Sequence, residues 1–319
     1  MDQGFNDFLK ALQDAMAEPT VSKDDPKALC LKALETQYEL LRKWTTPFVS
    51  QTDFNLIRLK VVKDSDDRYL QFFTPWPLQE LSSFPIDSSN QKLIKDVRRS
   101  YDGIDYGCDK LRKYGFPLSA RLEIIHTCFI SEVQRWPRRD PGGQTQRLSS
   151  LTRWKFIELY APYVDLDKLG GVEWECHGGW VLSGSSGKYP HFKAAMHSAV
   201  EVCDADQLLR SELLIILGIM VERLRDKSLN KHVIIPVMLF SFVGPRSGRI
   251  LMAYFDGQHL IVQQSPLYNF PGSPGSDAML EFVRHQAAGL TPNMDTTRFP
   301  KPIEQGASRR PLPESELPR

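Results

Sequence analysis

The chain has 319 residues, of which 41% are hydrophobic and 25% are charged, and this composition excludes a wholly disordered or fibrous protein. Its 40 Lys and Arg residues stand against 39 Asp and Glu residues, so the formal net charge is +1. Overall charge therefore provides no argument for nucleic acid or an anionic membrane as an obligatory partner. The length allows one large domain or two ordinary ones.

The N-terminus and the cysteines favour an intracellular protein. Residues 1–10 lack the basic start and apolar run of a secretory signal, and no apolar stretch reaches the roughly 20 residues that a membrane-spanning helix needs. The five cysteines are odd in number and include no C-x-x-C pair, which is typical of reduced thiols. We expect a cytoplasmic or nuclear protein that is neither secreted nor membrane-spanning.

Helical periodicity dominates residues 1–136. Apolar residues recur three or four positions apart in five segments, which are 5–16, 26–44, 89–101, 104–113 and 117–136. Pro26, preceded by two Asp residues, is a good helix start. The runs 54–63 and 68–74 are rich in β-formers and flank a polar turn, so they predict one β-hairpin.

Residues 137–147 contain two Pro and two Gly, a composition that suits a loop or linker and marks a candidate internal boundary. An α+β region is predicted beyond it, over 148–288. Its helices are predicted at 148–164, 191–202, 205–227 and 277–288, and its loop with short strands at 165–190.

Three β-rich runs between 232 and 264 are separated by a turn-forming segment and by Asp256-Gly257, the strongest short hairpin signal in the chain. They predict an antiparallel three-strand meander flanked by helices. Residues 289–319 are rich in Pro and predict a disordered tail. The predicted fold class is therefore α+β, with a mostly helical N-terminal half, one hairpin near 54–74 and the C-terminal meander.

Candidate catalytic or metal-binding residues cluster around Glu175 and His177, with His191 downstream. Zinc accepts carboxylate, thiol and imidazole ligands, but the spacing around Cys176 matches no zinc pattern, and an ordinary polar strand edge is the simpler interpretation. An enzyme would use Glu175, His177 and His191 with a metal or with a small acyl or phosphate substrate. No motif supports a particular cofactor.

The loop Gly184 to Lys188 resembles a phosphate-binding loop in composition only. Leu182 and Tyr189 stand where a Walker A motif requires glycine and Ser or Thr, so a flexible loop is the preferred interpretation. The helix, meander, helix order over 205–288 is also that of PD-(D/E)XK nucleases. The strand after Asp256 contains neither the acid nor the lysine of that site, which indicates a turn role for Asp256 or an inactive nuclease-like protein.

Residues 90–139 contain eleven basic and six acidic side chains, a surplus that could follow a phosphate backbone. A solvated helical surface explains the same pattern, and we do not expect a nucleic-acid partner.

The block from Pro236 to Phe270 resembles uncharacterised filamentous-fungal proteins, a family with no established activity. The resemblance implies a shared meander and a link to secondary-metabolite pathways, and it implies no catalytic residue. We expect an accessory or interaction protein that binds a protein partner or a second copy of itself and does not act at a membrane.

Overall fold

The computed structural model describes residues 25–63, 71–87, 119–158, 174–184, 187–202, 204, 206–244, 246–270, 276–292 and 294–300. In that part of the chain the α-helices are α1 Pro26–Arg42, α2 Leu78–Ser82, α3 Ser119–Ile130, α4 Leu148–Leu151, α5 Arg210–Arg225 and α6 Asp277–Gln286. The strands are β1 Phe48–Val49, β2 Leu59–Lys63, β3 Phe73–Thr74, β4 Pro137–Arg139, β5 Thr145–Arg147, β6 Trp154–Glu158, β7 Trp174–Leu182, β8 Phe192–Ser198, β9 Leu208–Leu209, β10 Val237–Val243, β11 Ser247–Phe255, β12 Leu260–Gln264, β13 Tyr268–Asn269 and β14 Gly289–Leu290.

A mixed eight-stranded sheet forms the centre of the protein. Its strand order is β2-β12-β11-β10-β8-β7-β6, and the short strand β13 pairs with β11. β8 and β10 are parallel, β2 and β12 are parallel, and the other neighbours are antiparallel. Every residue of β8 and β10 is buried, as expected for strands that are covered on both faces.

Helices cover both faces of this sheet. Alternate residues such as Leu239 and Leu251 pack on one face into a core shared with α1 and α5. Their neighbours, such as Phe240 and Ile250, pack on the other face against α3 and α6. Because side chains alternate between the two faces of each strand, the sheet contributes to two separate apolar cores. The sheet and the helices on its two faces form three layers.

The predicted fold class was wrong, because the protein is dominated by its sheet. The N-terminal half is not mostly helical: it contains β1 to β6, of which β2 and β6 enter the main sheet. β10, β11 and β12 do pair antiparallel in chain order, but they are the middle of the larger sheet and not a separate meander. Parallel partners on either side of them require long-range pairing that no local pattern reveals.

Several predicted local elements were also wrong. The segment 191–202, predicted as a helix, contains β8, and the segment 148–164 contains the four-residue helix α4 followed by β6. The runs of the predicted hairpin do not pair with each other, since β2 pairs with β12 and β3 pairs with β14. Burial on both faces of a sheet overrides helix propensity in the Ala- and Met-containing segment of β8.

Other predictions have mixed outcomes. Helices at 26–44, 117–136, 205–227 and 277–288 are confirmed as α1, α3, α5 and α6. The predicted loop or linker 137–147 forms a short hairpin of β4 and β5. Residues 289–300, assigned to the disordered tail, include β14 and the buried Thr296. The predicted helices at 5–16, 89–101 and 104–113 and the remainder of the tail lie outside the described residues.

The register places four loops at one end of the sheet, which are those before β6, after β7, before β8 and before β10. Trp154 is paired with Leu182, and Val181 and Val237 are both paired with Phe192. We call this end of the sheet the Phe192 end. None of the described helices is long and apolar enough to cross a bilayer.

Candidate functional site

The structure separates two of the residues that the sequence singles out as site candidates. Glu175 lies in β7 opposite His197, the sixth residue along from His191. At roughly 3.3 Å per residue, His191 is about 20 Å from that position, too far for both side chains to bind one metal ion. The backbone of His177 lies at a bulge in β7, and its side chain is not among those described. No group of three or more potential metal ligands occurs among the described residues.

His191 is at the Phe192 end, and its imidazole is buried. The rings of Phe72 and Phe73 meet it edge-on, with centroids 6.0 and 5.5 Å away. Neither ring nitrogen has a hydrogen-bond partner among the described residues. Burial lowers the pKa of His191 to about 3, and the nearby charges of His232, Lys193 and Arg223 act in the same direction. The imidazole is therefore neutral at physiological pH.

Lys193 points to the same face two residues later and is completely buried. Its ammonium donates three hydrogen bonds at the C-terminus of α6, to the carbonyls of His285 (3.0 Å), Gln286 (2.7 Å) and Ala288 (3.1 Å). It also lies 4.0 Å from the ring centroid of Trp154. Burial lowers the pKa of Lys193 well below its usual value, while the carbonyls and the ring face favour the charged form. Only an ammonium has three donors, so this geometry fits a protonated lysine.

Near His191, the side chain of His232 links two other segments of the chain. Its Nδ1 lies 2.6 Å from the Thr296 hydroxyl, and its Nε2 lies 3.1 Å from the carbonyl oxygen of Gly187. Gly187 has a φ of +81°, and a Cβ there would overlap the Ser228 carbonyl oxygen, so only glycine fits. The loop before β8 is thus held in a defined position at this point.

The exposed surface beside these buried groups is basic. Arg153 Nη1 donates to the phenol oxygen of Tyr189 at 3.4 Å, and its guanidinium carbon is 5.1 Å from the ring centroid. The ammonium of Lys188 is 5.3 Å from the same centroid. The hydrogen bonds from Arg153 and then from Lys188 hold the pKa of Tyr189 below its usual value. Two cations therefore converge on one phenol oxygen.

The described thiols offer no activated nucleophile. Cys30, Cys128 and Cys176 are all buried, and burial is the main cause that raises the pKa of each to about 12. A thiol with such a pKa is protonated at neutral pH and is a poor nucleophile.

The remaining sequence candidates are structural where they are described. Asp256 accepts hydrogen bonds from the backbone amides of Gln258 and His259, which is the turn role predicted for it. Arg138, one of the eleven basic residues in 90–139, is buried beside Glu132, and most of that segment lies outside the described residues.

Sequence reasoning named His191 but missed Lys193 and Arg153. A single lysine inside the apolar run 192–202 is a usable signal, because an isolated charge in a buried strand must have partners. In the helix predicted for 191–202, the same lysine can lie on an exposed face and carries no such signal. Arg153 and Tyr189 are 36 residues apart and carry no shared local pattern.

Comparisons of the chain with protein-family models, curated proteins and solved structures found no match.

Proposed function

We propose that this is an intracellular binding or accessory protein, which holds a ligand or a protein partner without transforming it. One observation carries the proposal: His191 and Lys193, two residues with catalytic chemistry at the Phe192 end, are buried in the interior. The groups that remain accessible there are the cations Arg153 and Lys188 and the phenol of Tyr189, which suit recognition.

The protonation state of His191 argues against acid–base catalysis. A general base works best when its pKa is near the operating pH, and burial holds the pKa of His191 at about 3. All three donors of Lys193 are used by backbone carbonyls, so its nitrogen is not free to attack a carbonyl carbon. Lys193 instead supports packing between the sheet and α6.

We also propose a cellular role, which rests on the sequence alone. Reduced thiols favour the cytoplasm or the nucleus, and the resemblance of the block from Pro236 to Phe270 favours an accessory role in a fungal secondary-metabolite pathway. We propose a protein partner or a second copy of this chain as its binding partner.

Native mass spectrometry of the full chain tests the binding role against the enzyme alternative. We expect the wild type and His191→Leu to show the same subunit number and the same bound species. His259→Leu is the control, because His259 lies in the turn before β12 and is partly exposed. A metal or metabolite that the wild type and the control retain and His191→Leu loses would contradict the proposal and favour an enzyme.

A further inference from the structure

The surface at the Phe192 end points to a ligand class. Arg153 and Lys188 are both exposed. Each lies over the ring of Tyr189, so their charges are within roughly one Debye length of each other, about 10 Å at 0.1 M salt. Among the described residues, no carboxylate forms an ion pair with either cation. Two like charges held together without an acid are a suitable receptor for an anion.

The guanidinium of Arg153 is held in place by the surrounding backbone. Arg153 Nη2 donates to the Ser183 carbonyl at 2.9 Å, and Ser183 donates back to the Arg153 carbonyl through its amide at 2.7 Å. A Cβ on Gly184, which has a φ of +145°, would lie 3.0 Å from Arg153 Nη2. The guanidinium is therefore oriented before any ligand arrives, which reduces the entropy lost on binding.

The backbone of Tyr189 is anchored as well. Arg223 Nη2 donates to the Tyr189 carbonyl at 3.1 Å, and Arg223 itself pairs with Asp226 at 3.7 Å. The carboxylate of Asp226 is thus engaged by a third arginine. The phenol remains directed at Arg153 and Lys188, and its O–H is a donor that can serve an anion together with the two cations.

We propose that Arg153, Lys188 and Tyr189 form a binding site for a phosphate monoester dianion. Two positive charges match its two negative charges, and the planar fork of arginine fits phosphate oxygens. The inference rests on the proposed function, because the anion is bound and not cleaved. It does not depend on a Walker A motif, since side-chain cations and not loop amides supply the contacts.

The test uses inorganic phosphate and p-nitrophenyl phosphate with the full chain in low-salt buffer, with isothermal titration calorimetry as the readout. We expect saturable binding of both that weakens at least tenfold in Arg153→Gln and in Lys188→Gln and several-fold in Tyr189→Phe. Arg42→Gln is the matched control, since Arg42 is an exposed arginine at the end of α1. Equal affinities in the wild type and Arg153→Gln, or no saturable binding to the wild type, would overturn the site.

Two further readouts keep the inference separate from the function on which it rests. Melting temperatures show whether each variant is folded, and release of p-nitrophenol shows whether the ester is cleaved. Binding without release supports both proposals, and release that depends on Arg153 overturns the binding-only function while retaining the anion site.

The same phosphate chemistry could come from a lipid headgroup. Sedimentation with phosphatidylcholine vesicles that contain phosphatidic acid distinguishes the source. Phosphate binding without sedimentation identifies a soluble ester, and sedimentation that is lost in Arg153→Gln identifies a headgroup at the same site.

Discussion

His191 and Lys193 show how two polar side chains on one face of a strand can be buried at very different energetic cost. Lys193 satisfies all of its donors with three carbonyls, so its burial leaves no donor unpaired. His191 has no hydrogen-bond partner among the described residues, and its charged form is disfavoured by burial and by Lys193 itself. The first residue therefore stabilises the packing of α6, and the second makes stability depend on pH.

Acid should destabilise the protein through His191. The unfolded state binds a proton near the ordinary pKa of 6.5, and the folded state binds it only near 3, so the unfolded state holds more protons between these values. Stability should fall as pH decreases from 6.5 toward 3, by up to about 1.4 kcal/mol per pH unit from this group. We expect His191→Leu to be within about 1 kcal/mol of the wild type at pH 7 and to show a shallower slope below pH 6.

Urea unfolding at a series of pH values measures this slope. The control is His259→Leu, in which the buried imidazole of His191 is retained. Burial also lowers the pKa of His259, but by less than that of His191, so this variant should change the slope less. Parallel slopes for the wild type and His191→Leu would show that His191 is not the group responsible.

At the scale of elements, β8 determines the arrangement of the sheet. It is the parallel partner of β10 and the antiparallel partner of β7, so it joins the two halves of the strand order. Its contact with β7 is unusually close at Gly179, where a Cβ would overlap the Phe192 ring and lie 2.6 Å from the Lys193 carbonyl oxygen. Glycine at this position allows the large rings beside it to pack.

Gly179→Ala should therefore destabilise the fold. The added methyl group forces the Phe192 ring or the backbone of β8 to move, which costs about 1–3 kcal/mol. Gly289→Ala is the matched control, because nothing lies within 4 Å of a Cβ at Gly289 in β14, and its effect should stay within about 0.5 kcal/mol. The measurement is the midpoint of urea unfolding, and equal midpoints for the two variants would refute the packing argument.

At the scale of the whole molecule, a buried ion pair connects the helical layer of α1 and α5 to the sheet. Arg249 in β11 donates to Glu212 in α5 through Nε (2.9 Å) and Nη2 (2.6 Å), and both side chains are fully buried. Glu212 also accepts the Leu209 amide, and Arg249 donates to the Gln207 carbonyl. The ion pair thus provides an acceptor for a backbone amide at the start of α5 and holds that end of the helix against the sheet.

Removal of one member should cost far more than removal of both. Arg249→Met leaves a buried carboxylate without its cation and should destabilise the protein by about 3–5 kcal/mol. Arg249→Met combined with Glu212→Leu removes the charge that is left, so its loss should be smaller than the sum of the single losses. Arg225→Met is the control, because Arg225 pairs with Glu35 at the surface, where such pairs contribute about 0–1 kcal/mol. Additive losses in a double-mutant cycle, measured by urea unfolding, would contradict the coupling.

The candidate site was only partly predictable. His191 was identified because histidine is rare and chemically versatile. The environment of His191 was not predictable, since Phe72, Lys193 and Trp154 come from separate parts of the chain. The approach of Arg153 to Tyr189 depends on the pairing of β6 with β7, which no short-range pattern encodes.

The sequence by itself determined the elements whose signals are local. Asp25 caps α1 through its side chain and Pro26 begins that helix, Ser276 caps α6, and Asp256 closes the turn before β12. Tertiary structure alone decided that 192–198 is a strand, that β2 and β8 join the sheet through parallel neighbours, and that Lys193 reaches the end of α6. The physical reason is that caps and turns are satisfied within a few residues, whereas the pairing of strands and the burial of charge are satisfied only by residues far away in the chain.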